Sequence, residues 1–278
     1  MTEFPWSDEL TLDSDGIWRT ALSAPVSYPE HDSDTCFQLE DTSFWFAHRN
    51  RVIAAVLDRF PPAGTLLDLG AGNGFVAQHL QRRGYSVAAL EPSTTGAENC
   101  RLQRGLGQVI CAEFVQADLH SESVPSIGAF DVLEHIEGDA DAVAQIARVL
   151  TPNGMFYGTV PAHRALWSGS DVEAGHYRRY SRAGLLRLLD PHFDLLFTSG
   201  FFQALIVPQF LVRAVPYRLR LPTPSLAGGD KAHASQRTNT ADGIVTKLLR
   251  RETARIADGS QLTLGASLVF AARRKRTA

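Results

Sequence analysis

Three glycines alternate with other residues directly after a short apolar run that contains an acid. The stretch reads Leu66-Leu67-Asp68-Leu69-Gly70-Ala71-Gly72-Asn73-Gly74. The run at 65–69 predicts a buried strand, and the residues at 75–83 predict a helix. Glycines between them permit a tight turn and close contact of the backbone with a ligand, and the amides of the following helix point back at the turn. The turn is therefore a candidate small-molecule site; a strand-to-helix turn without a ligand is the alternative.

The glycine spacing narrows the class of ligand. A dinucleotide-binding fingerprint has Gly-x-Gly-x-x-Gly, but here the third glycine comes one residue too early and Phe75 stands where the fingerprint has glycine. The Gly-Lys-Ser/Thr of a phosphate-binding P-loop is also absent from this turn. Asp68 would repel a pyrophosphate and attract a cationic amino acid. S-adenosylmethionine (SAM) fits this pattern, because it has an ammonium, a sulfonium and no phosphate.

Two further acids are expected at the carboxyl ends of neighbouring strands, where open α/β sheets bind their ligands. Glu91 ends the second predicted strand, and its carboxylate can accept both hydroxyls of a ribose; a solvated turn residue is the alternative. Asp118 follows the third predicted strand, where it can accept from an adenine amino group while the Leu119 amide donates to the ring. Taken alone, Asp118 fits a turn cap as well. Together with Asp-x-Gly-x-Gly-x-Gly, this set resembles the class I SAM-dependent methyltransferases.

The segment 130–136 extends the resemblance. Its sequence, Phe130-Asp131-Val132-Leu133-Glu134-His135-Ile136, resembles the D-V-L-E-H-I segment of a large bacterial group of small-molecule methyltransferases. The segments 44–51, 176–180 and 264–267 resemble that group too. One departure is Val124-Pro125, which stands where the group has Phe-Asp; because proline cannot donate to a sheet ladder, we expect the fourth strand to begin late. The cofactor-binding residues expected from these motifs are Asp68, Gly70, Ala71, Gly72, Gly74, Glu91, Pro92, Asp118, Leu119, Phe130 and Arg51.

Arginines near position 50 and the residues around 176–180 are further candidates. In the quinone-pathway methyltransferases that the chain resembles, an arginine of the N-terminal helix holds the cofactor carboxylate. Arg51 lies close to the corresponding offset, Arg49 is the other candidate, and a solvated helix face is the alternative. The residues expected to contact the acceptor are Trp45, Phe46, Tyr177, Arg178 and Tyr180. The alternatives are plain aromatic packing and pairing of the arginines with the acidic N-terminal residues.

Methyl transfer from a sulfonium is an in-line displacement, in which positioning supplies much of the rate. A hydroxyl, amine or carbon nucleophile can also need a base. The catalytic candidates are His135, His176 and Asp131, and histidine suits a base because its ordinary pKa is near neutral. Alternatively, Glu134-His135 only orders the start of the following helix.

The same residues allow a second interpretation. Asp131, Glu134, His135 and His176 resemble the E-x-x-E-H…H metal site of small-RNA 2′-O-methyltransferases and, in part, of quinone-pathway O-methyltransferases. Such a site would lower the pKa of an acceptor hydroxyl. Because Asp131 is shorter than the glutamate it replaces, our main prediction contains no metal.

Alternating strand and helix patterns predict the elements that position these residues. Strands are expected at 65–69, 85–90, 113–116, 126–130, 154–160, 193–199 and 267–272, with helices at 47–59, 75–83, 95–104, 138–150 and 181–189. This order implies a parallel sheet with right-handed crossovers. The expected fold class is α/β, a Rossmann-like, seven-stranded, mostly parallel sheet with helices on both faces. The resemblance implies that the last strand is antiparallel.

Four regions are expected along the chain. They are an acidic N-terminal arm or lid at 1–46, a SAM-binding core at 47–200, a helical cap at 201–262 with a mobile loop at 222–242, and the last strand with a basic tail at 263–278. The cap either packs on the core or acts as a lid or membrane-surface patch for an apolar acceptor. Peripheral membrane contact is expected to involve 201–221, if any.

The composition is that of an ordinary soluble globular protein. The 278 residues are 44% hydrophobic and 21% charged, and the net charge of −3 gives no reason to expect nucleic acid as a partner. Cys36, Cys100 and Cys111 lack metal-binding or C-x-x-C spacing and fit free thiols in a reducing compartment. Because Met1–Leu10 does not resemble a signal peptide and no apolar run reaches transmembrane length, we expect a cytoplasmic protein.

The sequence thus predicts a SAM-dependent methyltransferase that acts on an oxygen, nitrogen or carbon atom of a small molecule and releases S-adenosylhomocysteine (SAH). The alternatives are a metal-assisted O-methyltransferase, an RNA methyltransferase and a non-catalytic SAM-binding partner protein. The acidic balance of the chain argues against RNA.

Overall fold

The computed structural model describes residues 4–20, 37, 40–221 and 240–276. These residues contain one sheet. Its strands are β1 Leu10–Leu12, β2 Trp18–Thr20, β3 Leu66–Leu69, β4 Val87–Leu90, β5 Gln108–Cys111, β6 Val124–Phe130, β7 Leu150–Pro161, β8 Phe193–Phe201 and β9 Ser267–Arg274. They lie in the order β1-β2-β5-β4-β3-β6-β7-β9-β8.

Helices connect most of the strands. They are α1 Phe44–Arg59, α2 Phe75–Arg82, α3 Thr94–Glu98, α4 Asp139–Val149, α5 Gly169–Glu173, α6 Arg182–Leu189, α7 Ile206–Gln209, α8 Val215–Arg218 and α9 Thr240–Ala257. A π-helical turn, Asn99–Gln103, continues α3, and another, Phe210–Ala214, joins α7 to α8. Short 3-10 turns occupy Leu133–His135, Arg164–Leu166 and Gln203–Leu205.

The sheet is mostly parallel, and the expected fold class is confirmed. The five neighbouring strands β5, β4, β3, β6 and β7 pair in parallel. Strand β9 lies between β7 and β8 and is antiparallel to both. The chain passes from β3 to β4 and β5 on one side and then returns to β6 on the other side of β3. This reversal creates a crevice at the carboxyl ends of β3 and β6, the place where open α/β sheets bind ligands.

The sheet has two more strands than the seven expected. Residues 10–20 form a β-hairpin whose second strand pairs in parallel with β5. In the turn, Asp13 Oδ1 accepts hydrogen bonds from the amides of Asp15 and Ile17, both at 2.9 Å. Phe4, Trp6 and Trp18 join the core on one face of the sheet. This part of the predicted arm therefore extends the sheet, whereas residues 21–36, also assigned to the arm, lie outside the described residues.

Two strand predictions are wrong. The third strand was expected at 113–116, but β5 occupies Gln108–Cys111 because Val109 and Ile110 pair with β4. The fourth strand does not begin late: β6 starts at Val124, which pairs with Leu150. The proline at 125 falls at a register shift between Val124 and Ser126, so the ladder tolerates its missing donor.

Helix α1 brings its apolar face to the core and its N-terminus to the crevice. The core contains a second hydrophobic cluster, to which Val52, Ile53 and Val56 belong. Buried residues of α9 belong to the same cluster. Ser43 caps α1, because its Oγ accepts a hydrogen bond from the Trp45 amide at 3.3 Å.

The cap between β8 and β9 is described only in part. Residues 203–218 form short helical pieces, and 240–257 form α9. Most of the loop predicted at 222–242 lies outside the described residues. Among the described helices, none combines the length and apolar character that crossing a membrane requires.

Candidate active site

A cavity of about 650 Å³ opens at the carboxyl ends of β3, β4 and β6. The strand ends, α1, the 130–135 loop, α5 and the cap all contribute to its wall. Predicted site residues that line it are Asp68, Gly70, Ala71, Gly72, Glu91, Pro92, Phe130, Asp131, His135, His176, Trp45 and Phe46. The structure therefore brings most of the predicted cofactor and catalytic residues to one place.

Glu91 ties the end of β4 to the glycine turn. Its Oε2 accepts a hydrogen bond from the Gly72 amide and its Oε1 accepts one from the Ser93 amide, both at 2.8 Å. Burial nevertheless raises the pKa of Glu91 to about 7, against the effect of these two bonds. The carboxylate is thus fixed in orientation at the cavity wall, and each oxygen keeps a lone pair for another donor.

Asp68 is the acid of the glycine motif, and it is deeply buried. Its residue is 2% exposed, and Oδ2 has no hydrogen-bond partner among the described residues. Burial raises the pKa of Asp68 to about 7, while the charge of Arg49 opposes the rise and that of Glu91 adds to it. A buried carboxylate with an unpaired oxygen is unfavourable unless a ligand supplies the partner.

The glycines of the turn have different surroundings. Gly72 has φ +56°, and a Cβ there would meet no atom within 4 Å. Gly74 has φ +78°, and a Cβ there would lie 2.9 Å from Cys100 Sγ. Gly72 lines the cavity, whereas Gly74 does not, so the role of Gly74 is to let α2 start close to the residues behind it.

Arg49, and not Arg51, lines the cavity. Residues two positions apart on a helix lie on nearly opposite faces, whereas residues three or four positions apart share a face. Arg49 therefore lies on the same face as Trp45 and Phe46. Arg49 Nη1 donates to Asp131 Oδ2 at 2.7 Å, and its Nε is buried without a partner among the described residues. Burial lowers the pKa of Arg51, with a contribution from the nearby Arg250. Arg51, which we predicted to bind the cofactor, does not line the cavity.

Asp131 is held from two sides. Thr159 Oγ1 donates to its Oδ1 at 2.9 Å, and Arg49 bonds its other oxygen. The backbone of Asp131 has φ +59°, which is unusual for a residue other than glycine and marks a functional position in many proteins. Because both carboxylate oxygens are paired with donors, Asp131 suits positioning better than proton removal.

His135 and His176 face each other. Their ring centroids are 4.7 Å apart at an interplanar angle of 83°. Burial lowers the pKa of His135 to about 4, and His176 contributes to this shift. His176 Nδ1 lies 3.0 Å from Asp171 Oδ1, so the carboxylate orients the ring.

Glu134 completes a cluster that can hold a metal. One ligand atom each from Glu134, His135 and His176 lies within 4.8 Å of the others. Burial raises the pKa of Glu134, with a contribution from Asp131, and its Oε2 has no partner among the described residues. One carboxylate and two imidazoles form a donor set that several divalent transition metals accept.

Asp171 was missed by the sequence reasoning. It is 1% exposed, and its Oδ1 also accepts from Arg179 Nε at 2.7 Å. Although burial opposes it, the bonds from His176 and Arg179 lower the pKa of Asp171. Asp171 caps α5 together with Ser168, whose amide donates to Oδ2 at 2.8 Å. The spacing Ser-x-x-Asp was the available signal, since it is typical of a capping box.

The predicted acceptor residues at 177–180 do not line the cavity; Arg179, which lies between them, does. Tyr177 is 55% exposed. Arg178 Nη1 pairs with Asp139 Oδ1 at 2.7 Å, and the Tyr180 hydroxyl donates to Asp139 Oδ2 at 2.8 Å. Arg178 and Tyr180 thus hold the start of α4. In this extended segment alternate side chains point to opposite sides, which separates Arg179 from its neighbours.

Asp118 and Leu119 also lie away from the cavity lining. The reason is the position of β5, which ends seven residues before Asp118. Asp118 is exposed with φ +38°, and Leu119 is buried in the core. The acid nearest to the end of β5 is Glu113, although it does not line the cavity either.

The cap forms the outer wall. Trp45 of α1 stacks on Phe202 with ring centroids 3.8 Å apart, and Leu205, Pro208, Gln209, Val212 and Arg213 line the cavity beside them. Glu252 of α9 accepts from the amides of Phe202 and Gln203 at 2.7 and 2.8 Å and contacts His48 Nε2 at 2.7 Å. This buried carboxylate fixes the cap to α1.

The fold is the Rossmann-like fold of the class I methyltransferases. Residues 67–158 match a protein family that is described as "Methyltransferase domain". That span runs from β3 through β7 and contains the glycine turn and the 130–136 segment. This part of the chain therefore carries a methyltransferase domain.

Individual relatives agree with this assignment. A ubiquinone biosynthesis O-methyltransferase of Photobacterium profundum is 31% identical over 102 residues, which are 34% of this chain and 43% of the relative. A probable S-adenosylmethionine-dependent methyltransferase of Mycolicibacterium smegmatis is 25% identical over 181 residues, 64% of this chain and 70% of the relative. The chain spans about half the length of the ubiquinone-pathway relatives it matches.

A solved structure shows the same fold. A putative methyltransferase in complex with the Haloferax volcanii Trm112 methyltransferase activator has a TM-score of 0.57 to this chain at 17% identity. The superposition covers 90% of this chain and 96% of the other. At this identity the likeness concerns the fold alone.

Proposed function

We propose that this protein transfers the methyl group of SAM to a small-molecule acceptor and releases SAH. The observation that carries the proposal is Asp68, a buried acid that lines the cavity and has one oxygen without a hydrogen-bond partner among the described residues. Such an acid, with a pKa raised to about 7, needs a cationic partner. The ammonium group of SAM is a partner of this kind.

The neighbouring residues suit the rest of the cofactor. Glu91 is held by two amides and can accept the ribose hydroxyls with its remaining lone pairs. Arg49 has a buried Nε without a partner among the described residues and can hold the cofactor carboxylate. Gly72 leaves open space in which the methionine part can approach the backbone.

His176 is the better general base of the two histidines. Asp171 at its Nδ1 orients the ring and stabilises the imidazolium that forms when the ring takes a proton. His135 has a pKa of about 4 and is a weaker proton acceptor. We assign His176 to proton removal from the acceptor and His135 to the shape of the pocket.

Calorimetry with SAM and a transfer assay with labelled SAM test this function. The acceptor panel should begin with hydroxyl compounds, because several relatives are O-methyltransferases by name. His176→Asn should keep SAM affinity and lower the transfer rate about 100-fold. His120→Asn, an exposed change, is the control. Failure of the wild type to bind SAM would refute the proposal. SAM binding without methyl transfer to any acceptor would favour a non-catalytic SAM-binding protein.

A metal-assisted O-methyltransferase is the second candidate, because Glu134, His135 and His176 lie together. The three residues fit a divalent ion. Within the described part of the chain, Oε2 of Glu134 is buried and has no partner, and the Asp171 contact with Nδ1 of His176 leaves Nε2 as the ligand atom. A bound ion would supply Lewis acidity toward an acceptor hydroxyl.

Chelation distinguishes the two candidates. The metal-assisted function predicts that transfer is lost in a chelator and restored by one divalent ion, and that Glu134→Gln abolishes this restoration. Direct titration of the protein with Zn²⁺ or Mn²⁺ would show binding independently of turnover. Full activity in the chelator would remove the metal from the mechanism.

A further inference from the structure

The segment 206–221 presents apolar side chains to solvent. Val207 is 64% exposed, Leu211 is 58% exposed and Leu219 is 63% exposed. Scattered exposed apolar residues are ordinary, but several in one short segment mark an interaction surface.

Val207 and Leu211 lie on one side of a helical run, and the opposite side is anchored to the protein. Ile206 and Phe210 pack against the core, and Ala214 is fully buried. Val207 and Leu211 are four residues apart and so share the outer side. Because the inner side is occupied by packing, the outer side is free to contact a partner.

The charges of this segment all have one sign. Residues 203–221 contain no Asp or Glu, and they contain Arg213, Arg218 and Arg220. The chain as a whole has a net charge of −3, so this is a local positive surface on an acidic protein. Apolar side chains next to arginines favour an anionic lipid surface, where the first enter the acyl boundary and the second meet phosphate groups.

Helix α9 has a similar outer side. Ile244 and Leu248 are exposed and four residues apart, whereas Leu249 and Ile256 are buried. Lys247, Arg250 and Arg251 are exposed beside them. The start of the cap at 203–205 contacts α9, so both basic and apolar pieces belong to the same part of the protein.

We propose that the exposed side of residues 206–221 docks on a membrane that contains anionic phospholipid. A second copy of this chain is the less suitable occupant, because a self-association face without acids would bring arginines against arginines. Since Pro208, Gln209 and Val212 of the same segment line the cavity, docking would place the cavity beside the lipid. An amphiphilic acceptor could then reach the site without crossing bulk water.

Vesicle co-sedimentation of the full chain tests the proposal without any methyl transfer. The wild type should bind phosphatidylcholine vesicles that contain phosphatidylglycerol, bind pure phosphatidylcholine vesicles less, and release at high salt. Val207→Asp with Leu211→Asp should weaken binding about tenfold or more, and Arg220→Glu about fivefold or more. Val115→Asp is the matched control, because Val115 is 77% exposed and follows β5, far from the cap in the order of strands.

SAM calorimetry on each variant shows that the fold is intact, so a loss of vesicle binding can be assigned to the surface. Equal binding to both kinds of vesicle, no binding to either, or equal loss in Val115→Asp would overturn the proposal. Dimer formation by the wild type that Leu211→Asp abolishes, seen by sedimentation velocity in the absence of vesicles, would also overturn it, since the face would then belong to a second copy.

Discussion

Replacing Asp68 by Asn should stabilise the cofactor-free protein at pH 8 and weaken SAM binding at the same time. The folded protein raises the pKa of this buried carboxyl from 3.8 to about 7. The stability associated with the protonated form is therefore fully present below pH 3.8 and is lost as the pH rises through about 7. At pH 8 the charged carboxylate is unfavourable for the folded state by roughly 4 kcal/mol, at about 1.4 kcal/mol for each pH unit between the two values.

Asparagine removes the charge but keeps the shape. Part of the gain is offset because the amide also needs hydrogen-bond partners, so we expect the variant to be more stable by about 2 kcal/mol at pH 8. At pH 5 the wild-type carboxyl is mostly protonated in the folded state, and the difference should become small. A hydrogen bond from a charged group contributes about 1.5–3 kcal/mol, so SAM affinity should fall by roughly 10- to 100-fold.

Urea unfolding without cofactor at pH 5 and pH 8, with SAM calorimetry at pH 8, measures both effects. Asp194→Asn, at an exposed position of β8, is the control and should change neither quantity. If Asp68→Asn lowers stability at pH 8 and leaves SAM affinity unchanged, Asp68 is a structural residue of the turn and the cofactor assignment is refuted.

Three further changes test the site and its supports. Because the pKa values of Asp68 and Glu91 are both about 7, the SAM affinity of the wild type should rise between pH 6 and pH 8, with proton release. In calorimetry Glu91→Gln should weaken SAM binding at least tenfold and make the affinity depend less on pH. A variant with the pH profile of the wild type would contradict this role of Glu91. Glu252→Gln should lower the free energy of unfolding by about 3 kcal/mol, because one of its buried donors loses its acceptor; a change below about 0.5 kcal/mol in urea unfolding would refute this role. Gly74→Ala should destabilise the protein by about 2 kcal/mol through its positive φ and its contact with Cys100, with SAM affinity largely kept; a variant as stable as the wild type would show that α2 can shift.

The sequence predicted those elements whose position depends on residues close together in the chain. The glycine turn between β3 and α2 has a short apolar run on one side and an amphipathic helix on the other, so its position followed directly from spacing. The third strand did not. Two short apolar runs, at 108–111 and 113–116, compete for it, and only pairing with β4 and β2 selects the first. Asp118 follows the second run, which is not a strand, and it therefore does not lie at a strand end.

The errors within the site have equally simple causes. Arg49 and Arg51 differ only by helix phase, and a shift of two residues turns a side chain from the cavity to the far side of α1. The hairpin at 10–20 had a signal in Asp15-Gly16 between two apolar stretches, which is typical of a tight β-turn. Asp171 lies only five residues before His176, but its Ser-x-x-Asp spacing indicates a helix cap and does not show that the same carboxylate contacts the histidine.

The stacking of Trp45 on Phe202 makes the wall of the cavity optically sensitive. An indole ring responds in its emission to neighbouring charges and to water, and this indole borders the cavity in which a sulfonium is proposed to bind. Trp6 and Trp18 belong to the core beyond β5 and should be silent. With Trp167 replaced by Phe, the remaining change in fluorescence on adding SAM would follow the filling of the cavity in real time, so the protein contains its own binding sensor.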